Sequence, residues 1–370
     1  MNPEQLNILP RKGEVLMETE KIDLLKTKDG QIELARNYVA LLEADDTEPV
    51  PERNSWIGEK NLRDFESLAL PRKLYNEFAA FCQTGSEFAE VPTVQALLKI
   101  NQINGLRRLP EGERPDELIL KIFEETKKYL AELEESPRKE RLMSLWAYHA
   151  GIFSRVIGDY ELAAESQDRS AEISEKTGDF NSAAISRFCA AFERVNEALV
   201  KNPGGVKAEL AKKREAGQVL YKNLDEADDP TSIRWKLLSG PHHLLLTHFW
   251  ANEQYNGAEA YNRLIKLKTV DPELAANLNS SISVALAVQA WNENNLAKAE
   301  ELASGVIAGT LGATPSPEYV ATAHLLLGRI AAVAGKKAEA ELRLKEAIAV
   351  QGSAHQVRAV AKRELAALNG

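Results

Sequence analysis

Histidine is the side chain that most readily does chemistry near neutral pH, and this 370-residue chain has six. Three of them, His242, His243 and His248, fall within one apolar stretch, GPHHLLLTHFW. Two imidazoles share a metal on a helix only when they stand three or four positions apart, where both side chains reach one face. The spacings here are one, five and six, so no metal site is expected. His242 reads as a buried, hydrogen-bonded core histidine, and His149 and His324 read the same way. The two cysteines, Cys82 and Cys189, lie 107 positions apart and form no metal pattern or disulfide framework. Buried thiols are the expectation, with a disulfide between them left open.

Other chemistry is absent by the same kind of test. Gly328…Gly335-Lys336 has the wrong spacing for a phosphate loop, and GVIAGTLGATPSPE (305–318) has glycines but no lysine to hold a phosphate. No Gly-x-Ser-x-Gly elbow and no dinucleotide fingerprint after a strand occurs. No catalytic residue, cofactor or metal is therefore expected, and the chain reads as a non-enzyme.

The elements that would position any site are helices. Hydrophobic residues make up 44% and charged residues 27%, which is globular chemistry and not that of a disordered tail. The net charge of −9 excludes a general phosphate-backbone binder, since the basic runs at 138–141 and 212–214 are diluted by acids. Leu274 to Asn292 is the longest uncharged stretch, but its three Asn, three Ser and a Gln do not suit a membrane span. No signal-peptide core is seen near the start, so a cytoplasmic protein without nucleic-acid or membrane partners is expected. Helix starts are marked by Ser136-Pro137, Asp229-Pro230, Asp271-Pro272 and Ser316-Pro317, each a capping side chain followed by a proline that loses no bond. In the first 110 residues helices are predicted at Gln31–Leu42, Asn61–Leu68, Arg72–Cys82 and Pro92–Asn104, a short strand around Glu14–Lys26, and a loop at Asp45–Asn54. A linker at Pro110–Pro115 then leads into a helix over Asp116–Glu135.

From residue 137 onward the sequence repeats. ATAHLLLGRIAAVAGKKAEAELRLKEAIAV (321–350) has counterparts 41 and 82 positions earlier, which puts Ala258, Ala299 and Ala340 in phase. Another unit surrounds Gly151, Gly158-Asp159-Tyr160 and Ala163, and Ala190-Ala191 follows Ala150-Gly151 by 40. A long polar helix near Ala208–Leu224 interrupts the series, and Ser353–Asn369 closes it. With Leu327-Gly328, Gly335, Ala340 and Ala347, residues 137–370 resemble the tetratricopeptide-repeat-like (TPR-like) helical superfamily. The resemblance implies an all-α fold: an antiparallel helical-hairpin solenoid of about five hairpins plus a capping helix. Gly328 and Ala340 would face each other in the last hairpin. The domains expected are a mostly helical region at 1–110, which resembles no family, and the repeat domain at 111–370.

In that family the first helix of each hairpin lines a concave groove where partners bind. Overlaying the units places Trp250 and Trp291 at one groove position and Arg155 at its equivalent, with Asn196 and Asn292 one residue on. Tyr148, Phe188, Phe192, His243, Thr247 and Arg329 fall on the same face. Trp, Arg and Tyr dominate binding energy at protein interfaces, and Asn amides can pair with an extended backbone. The expected function is an adaptor or scaffold that holds a peptide or helix of another protein. The alternatives are a ligand-responsive regulator with residues 1–110 as effector, or an N-terminal enzyme module recruited by the repeats; the latter is weakened because no His precedes position 149.

Overall fold

The computed structural model describes residues 18–46, 57–227, 230–310, 315–352 and 354–370, and every regular element among them is helical. The chain packs as two compact units, Met1–His149 and Ala150–Gly370.

Unit 1 contains α1 (Glu18–Leu25), α2 (Lys28–Asp46), α3 (Ile57–Ala69), α4 (Tyr75–Phe88), α5 (Pro92–Leu106), α6 (Asp116–Glu132) and most of α7 (Pro137–Val156). Its centre is a cluster of rings: Tyr38 stacks on Phe65 at 5.2 Å, and Phe81 meets both edge-on. Cys82 is buried beside them as a free thiol, as is Cys189 in unit 2, so the two form no disulfide. The strand expected around Glu14–Lys26 is a helix from Glu18 on, because Ile22 and Leu25 are three apart and both turn into the core. Residues 14–17, and 47–54 of the expected loop, lie outside the described residues.

Unit 2 continues with α8 (Tyr160–Lys176), α9 (Phe180–Lys201), α10 (Val206–Leu224), α11 (Pro230–Arg234), α12 (Gly240–Trp250), α13 (Ala258–Val270), α14 (Pro272–Asn277), α15 (Asn279–Asn292), α16 (Leu296–Ile307), α17 (Pro317–Val333), α18 (Lys337–Ala349) and α19 (His355–Asn369). A π-turn over Trp235–Ser239 joins α11 to α12. The same turn recurs between neighbouring helices. A left-handed residue donates to the carbonyl three back, and the next residue donates to the carbonyl five before it in the chain, as in Gly335→Ala332 (3.0 Å) and Lys336→Ala331 (2.9 Å). Gly158, Gly178, Asn252 and Asn294 do likewise, glycine and asparagine being the residues that tolerate positive φ. Asp159, Asp179 and Asn295 then cap the following helix by accepting from Leu162, Ser182 and Lys298 amides.

These turns set the register and correct one expectation. Ala258 is exposed, and Ala260 fills the small-residue position with Ala299 and Ala340, because the loop before α13 is longer than its counterparts. Gly328 packs closely on the following helix, where a Cβ would lie 3.1 Å from Leu344 Cγ and 3.5 Å from Arg343 Cβ. Gly151 repeats the geometry against Gln167 and Ala163.

Unit 2 also closes on itself. The last helix, α19, packs on α18 and α17 and reaches α9. Arg363 donates to the Leu199 carbonyl at 2.6 Å. Gln356 is almost wholly buried; it accepts from the Tyr160 hydroxyl and donates to Glu318, both at 2.9 Å.

Candidate functional site

The inner helices of unit 2 converge on a charged cluster walled by rings. On α9, Phe188, Phe192 and Asn196 step by four, as do Cys189 and Glu193, so all five lie on adjoining stripes of one face. The end of α7 brings Arg155, whose Nη1 lies 3.6 Å from Glu193 Oε1. Asn196 donates to the other Glu193 oxygen at 3.1 Å. From α10, Lys213 points its ammonium at the faces of Phe192 (3.9 Å) and Phe188 (4.9 Å), a placement the ring quadrupole favours. From α12, the His243 ring stacks on Phe192 at 4.4 Å, and His242 meets Tyr319 of α17 edge-on at 5.0 Å. The π-turn brings Trp235 edge-on to His243 at 6.2 Å.

Burial governs the electrostatics. Glu193 is 2% exposed, and desolvation pushes its carboxyl up to about 7 against the pull of Arg155, Asn196 and Lys213. Lys213 is 0% exposed, and burial drives its ammonium well below the ordinary lysine range, with Glu193 opposing. Burial raises the Glu318 carboxyl, lowers His242 to about 3 and drives His243 well down. Cys189 is pushed up to about 12 by burial, with Glu193 adding to the shift, so its thiol is inert. Four buried polar atoms here find no hydrogen-bond partner among the described residues: Lys213 Nζ, Asn196 Oδ1, His242 Nε2 and His243 Nδ1. So His242 is buried as expected, but its Nε2 is not hydrogen-bonded as expected. Such orphaned groups carry a cost that a packed core ordinarily avoids.

The structure places the eleven expected groove residues in different settings. Trp250 is not on an open groove: it is 1% exposed and its Nε1 donates to Thr322 Oγ1 at 3.0 Å. Nor does it align with Trp291. The turn bonds pair Trp291 with Phe249 and Arg155, so Trp250 sits one residue, about 100°, further round. Arg329 is also turned inward. It pairs with Glu364 on α19, donates to the Phe249 carbonyl and lies over the Phe249 ring. Phe188, Phe192, Asn196 and Thr247 are buried, and the Thr247 hydroxyl donates back to the His243 carbonyl at 2.7 Å. Arg155, His243, Trp291 and Asn292 are half-buried, and only Arg155 and His243 border the cluster. Tyr148 is half-buried and belongs to unit 1.

Glu193, Lys213, Glu318 and Trp235 were missed as site residues. Two left a signal in the sequence. Val206, Leu210, Gly217, Leu220 and Leu224 form the apolar stripe of α10, and Lys213 interrupts it where a hydrophobe is due. Glu193 likewise interrupts Phe188, Phe192, Val195 and Leu199 on α9. No three or more His, Cys, Asp or Glu side chains are placed to hold a metal ion among the described residues, and no helix there is long and apolar enough to cross a membrane. No protein-family model, curated protein or solved structure matches the chain.

Proposed function

We propose that unit 2 is a TPR-like array of helical hairpins, and that the chain is a non-enzymatic adaptor holding an extended segment of a partner protein. The segment docks at the rim of the charged cluster, on Arg155, Trp235 and His243. The recurring turn and the in-phase Ala260, Ala299 and Ala340 support the repeat reading. The observation that carries the docking site is the pairing of half-buried Arg155, Trp235 and His243 with unsatisfied polar atoms behind them. An extended backbone offers alternating donors and acceptors, and the half-buried Arg155 guanidinium can donate to its carbonyls. Trp and Arg are side chains that concentrate binding energy when partly desolvated.

Peptides selected from a displayed library on the full-length chain test the reading. Fluorescence anisotropy then compares the wild type with Arg155→Ala, His243→Ala and the distant, exposed Val333→Ser. Each rim variant should weaken binding by about 1–4 kcal/mol, and Val333→Ser should not. Selected peptides that bind both rim variants as tightly as the wild type, or a selection that yields no binder, would end the proposal.

A further inference from the structure

We propose that docking at this rim is coupled to proton uptake: a partner's hydrogen-bond acceptor draws Arg155 away from Glu193, and Glu193 takes up a proton. The inference rests on the docking reading above and gives that site its regulation.

The geometry sets up a competition. Arg155 has a side-chain exposure of 29% while its carboxylate partner has 2%, so one member of the pair faces incoming ligands and the other cannot follow it out. Their separation of 3.6 Å is longer than a close charge-assisted hydrogen bond. An acceptor approaching Arg155 from outside can therefore offer a shorter bond than the one that must be given up. Glu193 is then left facing Glu318 on α17, the Tyr160 hydroxyl on α8, Cys189 and Asn196 on its own helix, and Lys213 on α10. His242 and His243 on α12 face Lys213 in turn. Lys213 Nζ donates to no hydrogen-bond partner and forms no ion pair with either acid among the described residues. The α19 residue in the cluster, Gln356, is neutral and spends its amide on Glu318 and its carbonyl on Tyr160. Asn196 and Lys213 still favour the carboxylate, but neither forms an ion pair with it in place of Arg155, so the balance shifts toward the protonated acid.

The sign follows from the causes of the shift. In the free protein burial holds the Glu193 carboxyl up at about 7 even with Arg155 pulling it down. Removing that influence raises it further, so binding takes up a proton from solvent and the carboxylate becomes a carboxylic acid. If the incoming acceptor is anionic, it also raises Lys213, His242 and His243, and the direction is unchanged. Affinity is greatest below neutrality and falls as pH rises from about 7 toward the bound-state value, by up to about tenfold per pH unit.

Isothermal titration of a library-selected peptide into the full-length chain, in two buffers of different ionisation enthalpy, counts the protons directly and needs no variant. The expected result is net uptake near pH 7.5, with affinity declining between about pH 7 and 8.5. Glu193→Gln should bind with no uptake and a flat pH profile, and Arg155→Ala should bind weakly at every pH. Binding with no net uptake, or uptake that survives Glu193→Gln, overturns the coupling while leaving the docking site in place. Rim variants without effect on affinity overturn the docking site itself, and the coupling with it.

Discussion

Glu193 is a carboxylate in a place that favours the acid, and its titration should be visible in stability. Its folded value near 7 stands above the ordinary 4.5. The folded state therefore binds the proton more tightly. The resulting stabilisation is complete below about pH 4.5 and is lost as pH rises through 7. Measured against Glu193→Gln, the wild type should lose on the order of a few kcal/mol across that window, read as a widening gap between two melting curves. His242 runs the other way. Its value of about 3 lies below 6.5, so the neutral ring's contribution disappears as pH falls from 6.5 toward 3. His242→Gln should make that acid limb shallower, His243 and His248 still contributing to it, without touching the limb near neutrality.

At the scale of helices, the repeated turn makes the sharpest claims. Gly335 has φ +72°, and Gly335→Ala should cost roughly 1 kcal/mol in denaturant unfolding, since an L side chain strains there. Asn294 has φ 59° at the equivalent turn, so Asn294→Gly should leave the midpoint unchanged or raise it. Gly328→Leu drives a branched side chain into Leu344 and should cost about 1–3 kcal/mol. Trp250→Ala empties a filled position and orphans the Thr322 bond, so a loss of about 3–5 kcal/mol in thermal melts is expected. Much of this scale was legible in the sequence: α5 starts at Pro92 as predicted, α6 at Asp116, and Ser316 caps α17. Those features are local, fixed by a capping side chain and a proline. What escaped was set by register and distant contact. A longer loop before α13 moved the small-residue position from Ala258 to Ala260, and one residue separated Trp250 from the alignment with Trp291. Lys213 and Glu193 escaped because only the apolar stripe around them, and not their type, marks the face as buried.

At the scale of the molecule, the groove expected to be open is largely filled by its own helices. Arg329 ties α17 to α12 and α19, and Gln356 ties α19 to α8 and α17. On the proposed function a partner docks at the rim of the charged cluster, which requires that cluster to be kept for binding and not for the fold. Replacing a buried ion group by neutral side chains of similar volume is often neutral or stabilising, whereas breaking a structural network costs about 3–5 kcal/mol. The most direct measurement is the thermal midpoint of the double variant Glu193→Gln/Lys213→Met at neutral pH. The account predicts a midpoint no lower than that of the wild type. A fall equivalent to about 3–5 kcal/mol would show that the cluster holds the helices together, and would contradict it.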